Sequence, residues 1–134
     1  MPTATFTLDL ASGVPVYRQI IDQVTSGMAI GALKPGDQLP TVRQLAVDLA
    51  INPNTVVRAY RELEIRGILE TQQGTGTFIG NQKPNGAVDA EDRTRRLDQI
   101  VNEFVARAGA GGFAVSDLID RLTAMQPVVK KKGK

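Results

Sequence analysis

The sequence predicts an α+β fold, mainly α, and three observations predict it. Apolar residues recur at helical spacing in three successive stretches between Pro15 and Gly67, and only Ile51-Asn52 joins the second stretch to the third. A strand–turn–strand pattern follows over Ile68–Ile79. Beyond a polar stretch broken by Pro84 and Gly86, two further helical stripes appear. Three helices and a hairpin in about 65 residues describe an N-terminal winged helix-turn-helix. The last two stripes describe a short C-terminal two-helix segment. The expected organisation is 5–80 for the winged unit, 81–92 for a linker, 93–126 for the helical segment and 127–134 for a basic tail. No internal repeat is present.

Each element has its own local reason. In Thr5–Leu10, TFTLDL, the residues Phe6, Leu8 and Leu10 alternate with polar ones, as in a short half-buried strand. Tyr17, Ile20, Ile21, Val24 and Met28 share one helical face, with Pro15 suited to the first turn and Gly31 to the stop. Lys34-Pro35-Gly36-Asp37 is turn chemistry. Thr41 is a good N-cap for the second helix, and Gln44 completes a capping box. Its apolar face is Val42, Leu45, Ala46 and Leu49, and it ends near Ala50.

Asn52 caps the third helix, with Pro53 in its first position. Val56, Ala59, Tyr60 and Leu63 form the buried face, and Gly67 is the left-handed residue after the end. The opposite face carries Asn54, Thr55, Val57, Arg58, Arg61 and Glu62. Ile68–Thr71 and Thr77–Ile79 pair across the glycine-bearing turn QQGTG. After the linker, Leu97, Ile100, Val101, Phe104, Val105 and Ala108 repeat at helical spacing until Gly109, Gly111 and Gly112 interrupt. Ser116 and Asp117 start a last helix, whose apolar face is Val115, Leu118, Ile119, Leu122 and Met125.

Composition excludes much chemistry. The 134 residues contain neither Cys nor His. That removes disulfides, thiolate metal sites, imidazole bases and histidine-ligated zinc. The pair Gly74 and Gly76 lies in a hairpin rather than a strand-to-helix turn, so it is no dinucleotide fingerprint. With no paired carboxylates in a recognisable frame, no enzyme is expected, and neither cofactor nor metal. No apolar run approaches the roughly 20 residues of a membrane span. The N-terminus lacks the basic start and apolar stretch of a secretory signal. A soluble, cytoplasmic protein without membrane partners is expected. The net charge of +2 and pI near 9.2 lean only weakly towards nucleic acid.

The chemistry that does stand out is polar and clusters at helix starts. In a helix-turn-helix the second helix of the pair presents its N-terminal end to the major groove. Asn54 and Thr55 occupy that end as short donors and acceptors, and Arg58 lies one turn on. The free N–H groups of such a helix end also meet a phosphate. Arg43, at the start of the second helix, suits the DNA backbone or a bidentate contact with guanine. The wing tip Gln73-Gly74-Thr75-Gly76 lets the main chain approach DNA closely, since glycine has no side chain.

The run LPTVRQLAVDLAINPNTVVRAYRELEIRGILETQQGTGTFI, with the preceding PVYRQIIDQVTSGMAIGALKPGDQLP, resembles the DNA-binding domain of the GntR family of bacterial regulators. The resemblance spans residues 5–80. The short C-terminal part, with two helical patterns, is similar to the YtrA-like subfamily. The resemblance implies DNA contacts at Arg43, Asn54, Thr55, Arg58, Gln73 and Gly74. It also implies repression by blocking polymerase, at targets such as transporter operons. Val57 departs from the family, where many members carry a basic residue. Either it touches a thymine methyl or a phosphate contact is lost.

Bland readings stand beside these. Arg43 is on its own an ordinary solvated charge. Asn52 is a cap before it is a ligand, Tyr60 is core, and Arg61 and Arg66 belong to a solvated face that pairs with Glu62, Glu64 or Glu70. The glycines of the wing satisfy turn geometry as well as close approach. The lysine tail strengthens non-specific binding by counterion release or merely solubilises the end.

The stripes after Leu97 either pack back on the winged unit or form a dimer interface. The intervening linker favours the interface, at Leu97, Ile100, Val101, Phe104, Val105, Leu118, Ile119 and Leu122. The expected protein is therefore a homodimer on a palindromic double-stranded operator. A small-molecule effector is conceivable, but no residue cluster identifies one. The competing function is a winged-helix protein-interaction module without DNA readout. Such a module would expose a contiguous apolar patch at the start of the third helix, where this chain has Asn54, Thr55 and Arg58.

Overall fold

A computed structural model describes residues 6–81 and 90–126. They fall into two compact units, divided between Gln82 and Lys83, and each is described by itself. The first contains α1 (Val16–Ala29), β1 (Gln38–Leu39), α2 (Val42–Leu49), α3 (Pro53–Ile65), β2 (Leu69–Gln72) and β3 (Gly76–Ile79). The second contains α4 (Ala90–Ala110) and α5 (Val115–Met125). The lysine tail, 127–134, lies outside the described residues.

The first unit is built around α3, which packs against α1, α2 and β2. Ile20 and Val24 of α1, Leu45 of α2, and Val56, Ala59 and Leu63 of α3 meet in one aliphatic core, closed by Leu39, Leu69 and Ile79 from the strands. All four residues expected on the buried face of α3 are buried. Tyr60 is the polar exception. Its hydroxyl donates to the Pro40 carbonyl at 2.7 Å, so both buried groups are satisfied. Burial pushes that phenol well above its ordinary value.

The helix starts follow the local chemistry. Thr41 accepts from the Gln44 N–H at 3.0 Å, and Gln44 accepts from the Thr41 N–H at 3.1 Å, a complete capping box. Asn52 accepts from the Asn54 N–H at 2.8 Å, with Pro53 first in the helix. The ends of α2 and α3 also match one another. After α3 the Ile68 N–H reaches back to Leu63 and the Gly67 N–H to Glu64, a Schellman closure with Gly67 at φ 80°. After α2 the Ile51 N–H reaches Ala46 and the Ala50 N–H reaches Val47 in the same way. Here the left-handed position holds alanine, at φ 57° and ψ 48°.

Four sequence expectations need correction. The segment expected as a strand, of which residues 6–10 are described, joins no sheet. It lies along α1, whose amide side chains take the place of a neighbouring strand. Gln19 accepts from the Asp9 N–H at 2.8 Å and donates to the Asp9 carbonyl at 3.0 Å, and Gln23 makes the same pair of bonds with Thr7. The sheet itself has three antiparallel strands in the order β1-β3-β2, one more than the hairpin alone. Gln38 pairs with Phe78 and Leu39 with Thr77.

The other two concern α4. It begins at Ala90, inside the expected linker of 81–92 and ahead of the expected 93. Ala90 favours helix, Glu91 and Asp92 suit the positive end of its dipole, and Asp92 pairs with Arg95 at 2.8 Å. Gly109 does not interrupt the helix. One interior glycine costs about 0.5–1 kcal/mol against alanine, too little to break a helix whose neighbours Ala106, Ala108 and Ala110 are strong helix formers. The closure falls at Gly112, where the Phe113 N–H returns to the Ala108 carbonyl at 2.9 Å. In α5 the Asp117 carboxylate accepts from the Ala114 N–H at 2.8 Å, half of a capping box. Among the described residues no helix is long and apolar enough to cross a membrane.

Candidate nucleic-acid interface

The capped start of α3 places Asn54 in solvent and Thr55 half in solvent. Since Asn52 is occupied by the Asn54 N–H, its side chain serves the cap. Arg58 is one turn further along, four residues from Asn54 and three from Thr55, on the same face. Val16, Tyr17, Asn52, Asn54, Thr55 and Arg58 line a single open cleft between the starts of α1 and α3. Within it the Arg58 guanidinium lies 3.8 Å from the centre of the Tyr17 ring. The sequence places Tyr17 only on the buried face of α1. It is half-buried, and its ring serves the surface as well as the core.

Arg43 is exposed at the second position of α2, just after the capping box. Among the described residues no hydrogen bond or ion pair engages it. Arg66, by contrast, pairs with Glu62 at 3.1 Å, as expected of a solvated face. Arg43 and the wing are thus separate features of the same unit, while Asn54, Thr55 and Arg58 share one cleft.

The wing turns at Gln73-Gly74-Thr75, all exposed, with the Thr75 N–H returning to the Gln72 carbonyl at 2.9 Å. Gly74 has φ 78° at the third position of this turn, where the left-handed region favours glycine. A side chain there would meet nothing within 4 Å, so the tip is open to an approaching surface. Gly76 is different. Its φ is 139°, and a Cβ would come within 2.5 Å of the Gln38 side chain. The amide of Gln38 donates to the Thr75 carbonyl at 3.3 Å and braces the wing from β1. That brace was not legible locally, because Gln38 and Thr75 lie far apart in sequence.

In the second unit the stripes are present but uncovered. Leu97, Ile100, Val101, Phe104, Ile119 and Leu122 are exposed, and Val105 and Leu118 are half-buried. Phe113, 61% exposed in the α4–α5 turn, adds to this apolar surface and was missed because it belongs to neither stripe.

The chain is similar to several known proteins. The family of bacterial regulatory proteins called gntR matches residues 16–79. The HTH-type transcriptional repressor YtrA of Bacillus subtilis is 45% identical over 92% of this chain and 93% of its own. A transcriptional antiterminator from Listeria monocytogenes has a crystal structure that aligns with a TM-score of 0.71, covering 98% of this chain and 99% of its own at 27% identity. YtrA from Sulfolobus acidocaldarius, a GntR-family transcription factor, aligns with a TM-score of 0.57 at 32% identity, covering 77% of this chain and 99% of its own.

Proposed function

Since this chain belongs to the gntR family of bacterial regulatory proteins, we propose that it represses transcription by binding a palindromic operator as a homodimer, in the cytoplasm. The observation that carries the reading is the exposed polar start of α3. Asn54, Thr55 and Arg58 face one cleft there, and no carboxylate among the described residues pairs with Arg58 or with Arg43. A helix start so arranged meets acceptors on DNA with side chains and with free backbone N–H groups together. Phosphate contacts from Arg43, Arg58 and the helix ends supply affinity, while Asn54, Thr55, a guanine contact from Arg43 and the wing tip at Gln73, Gly74 and Thr75, with Gly76 closing the turn against Gln38, supply sequence preference.

The homodimer is supported by the exposed stripes of α4 and α5. Full burial of a Leu, Ile or Phe side chain is worth about 1.5–3 kcal/mol, and a second copy offers the same stripes in return. Two α3 helices would then enter major grooves about 34–36 Å apart, or a multiple of that. A protein-interaction role for the winged unit is disfavoured because Val57 is the only exposed apolar residue among positions 54–58.

The test is a titration of DNA from the upstream region of its own gene against scrambled DNA, across a salt series, with Arg43→Ala beside the wild type. Tight, salt-sensitive binding to the native fragment, weakened about 5- to 150-fold in the variant, is the expected result. No binding to either DNA at low salt would refute the proposal and favour the protein-interaction role.

A further inference from the structure

We propose that Tyr17 is a positioning residue for DNA recognition: its ring presets the guanidinium of Arg58 so that the fork of donors faces the cleft at the start of α3. The inference rests on the DNA-reading function above and adds to it a residue of α1, outside the helix-turn-helix pair.

Three observations carry it. The guanidinium carbon sits over the Tyr17 ring, 3.8 Å from its centroid, within cation–π range. The N–H donors of arginine lie in the guanidinium plane and remain free at its edge when the face is stacked. The carboxylate best spaced to capture Arg58 is Glu62, four residues on, and it is bound instead to Arg66 through both Nε and a terminal nitrogen, at 3.2 and 3.1 Å. Finally, Tyr17 and Arg58 line the same cleft as Asn54 and Thr55, and the ring packs against the core. The platform is therefore anchored, while the arginine it carries is exposed.

An arginine on an open helix face loses rotamer freedom when it engages DNA. One already stacked has lost much of it beforehand, and it offers its donors in one plane. The fork then suits a paired acceptor, either two oxygens of a phosphate or O6 and N7 of a guanine. A flat, charged fork on an aromatic face also explains why lysine would be a poor substitute at position 58.

The experiment uses the full chain and the duplex it selects best from a randomised pool. Affinities are measured for Tyr17→Phe, Tyr17→Leu, Arg58→Ala and the Tyr17→Leu/Arg58→Ala double variant. In parallel, NMR of the DNA-free wild type follows the ring-current shift of the Arg58 side-chain protons, a readout that needs neither DNA nor a variant. Tyr17→Phe should bind within about twofold of wild type, and Tyr17→Leu about three- to tenfold more weakly. In the Arg58→Ala background, Tyr17→Leu should cost nothing further. Loss of preference at one base pair assigns the fork to guanine, and a uniform loss with a shallower salt slope assigns it to phosphate.

Equal affinity of Tyr17→Leu and wild type, an additive double variant, or unshifted Arg58 protons would each overturn the proposal while leaving the DNA function standing. A wild type that selects no duplex overturns the function itself, and this role with it. Circular dichroism melts of every variant guard against misfolding. If Tyr17→Leu does not fold, Tyr17→Met takes its place, retaining side-chain bulk without the ring.

Discussion

The two units carry the same kind of helix in different circumstances. In the winged unit every helical stripe has a counterpart, and thirteen hydrophobic residues are buried, enough for a core of its own. In the α4–α5 unit the stripes are as regular, yet none of the described residues is buried, and Ile100 is 63% exposed. The comparison separates two things that periodicity runs together. An apolar stripe states that a face needs covering; it does not say whether the cover comes from the same chain. Where three helices and a sheet surround one another, the chain supplies its own cover. Two helices joined by a short turn cannot cover both faces, and the remaining apolar surface becomes available to a second copy.

The contrast is sharpest if core substitutions act only in the first unit. Leu63→Ala, at a fully buried position of α3, should destabilise the protein by about 2–5 kcal/mol in urea denaturation. Phe104→Ala, on α4, should change the same transition by less than about 0.5 kcal/mol when the chain is dilute enough to be monomeric. Similar values for both would erase the distinction.

The reverse test strikes the second unit. If the proposed homodimer forms through α4 and α5, Ile119→Asp should leave the chain monomeric in sedimentation velocity and weaken DNA binding about a hundredfold, through lost avidity. The melt of the winged unit should stay in place. A variant that remains dimeric would move the interface elsewhere.

A smaller effect probes the polar part of the core. Tyr60→Phe leaves the buried Pro40 carbonyl unpaired and should cost about 1–3 kcal/mol. The same phenol gives the pH dependence its sign. Burial raises its pKa in the folded state, so above the ordinary value of 10.0 the unfolded chain releases a proton that the folded chain retains. Stability is therefore full below that pH and falls as pH climbs past it. Alkaline denaturation should be shallower in Tyr60→Phe, and equal slopes would contradict the assignment.

The smallest effect lies in the turn between α2 and α3. Ala50→Gly relieves left-handed strain of about 1–2 kcal/mol but adds unfolded-state entropy worth about 0.4–1 kcal/mol. A net gain of about half a kcal/mol is expected in the thermal melt, with DNA affinity unchanged.

Much of this was legible because its causes are local. Thr41 with Gln44, Asn52 with Pro53, and Gly67 each act within a few residues of themselves, so their sequence neighbours announce them. The buried face of α3 was legible for the same reason, since spacing alone sets which residues share a side. The alternation in 5–10 misled because alternation records an extended chain, not the partner that hydrogen-bonds to it; the partners are Gln19 and Gln23. β1 was invisible because two residues have no periodicity, and its register comes from Thr77 and Phe78. Among the candidate DNA contacts, the positions of Asn54, Thr55 and Arg58 followed from the helix start, while the stacking of Arg58 on Tyr17 did not.

By itself the sequence determined the three helices of the winged unit, the caps of α2 and α3 and which residues of α3 point inward. These are matters of spacing and of hydrogen bonds that close within a turn. The tertiary structure decided the third strand, the docking of the N-terminal segment, the bracing of the wing by Gln38 and the ring beneath Arg58. Each depends on groups distant in sequence being brought within a few ångströms, and only the packing of the common core sets that distance.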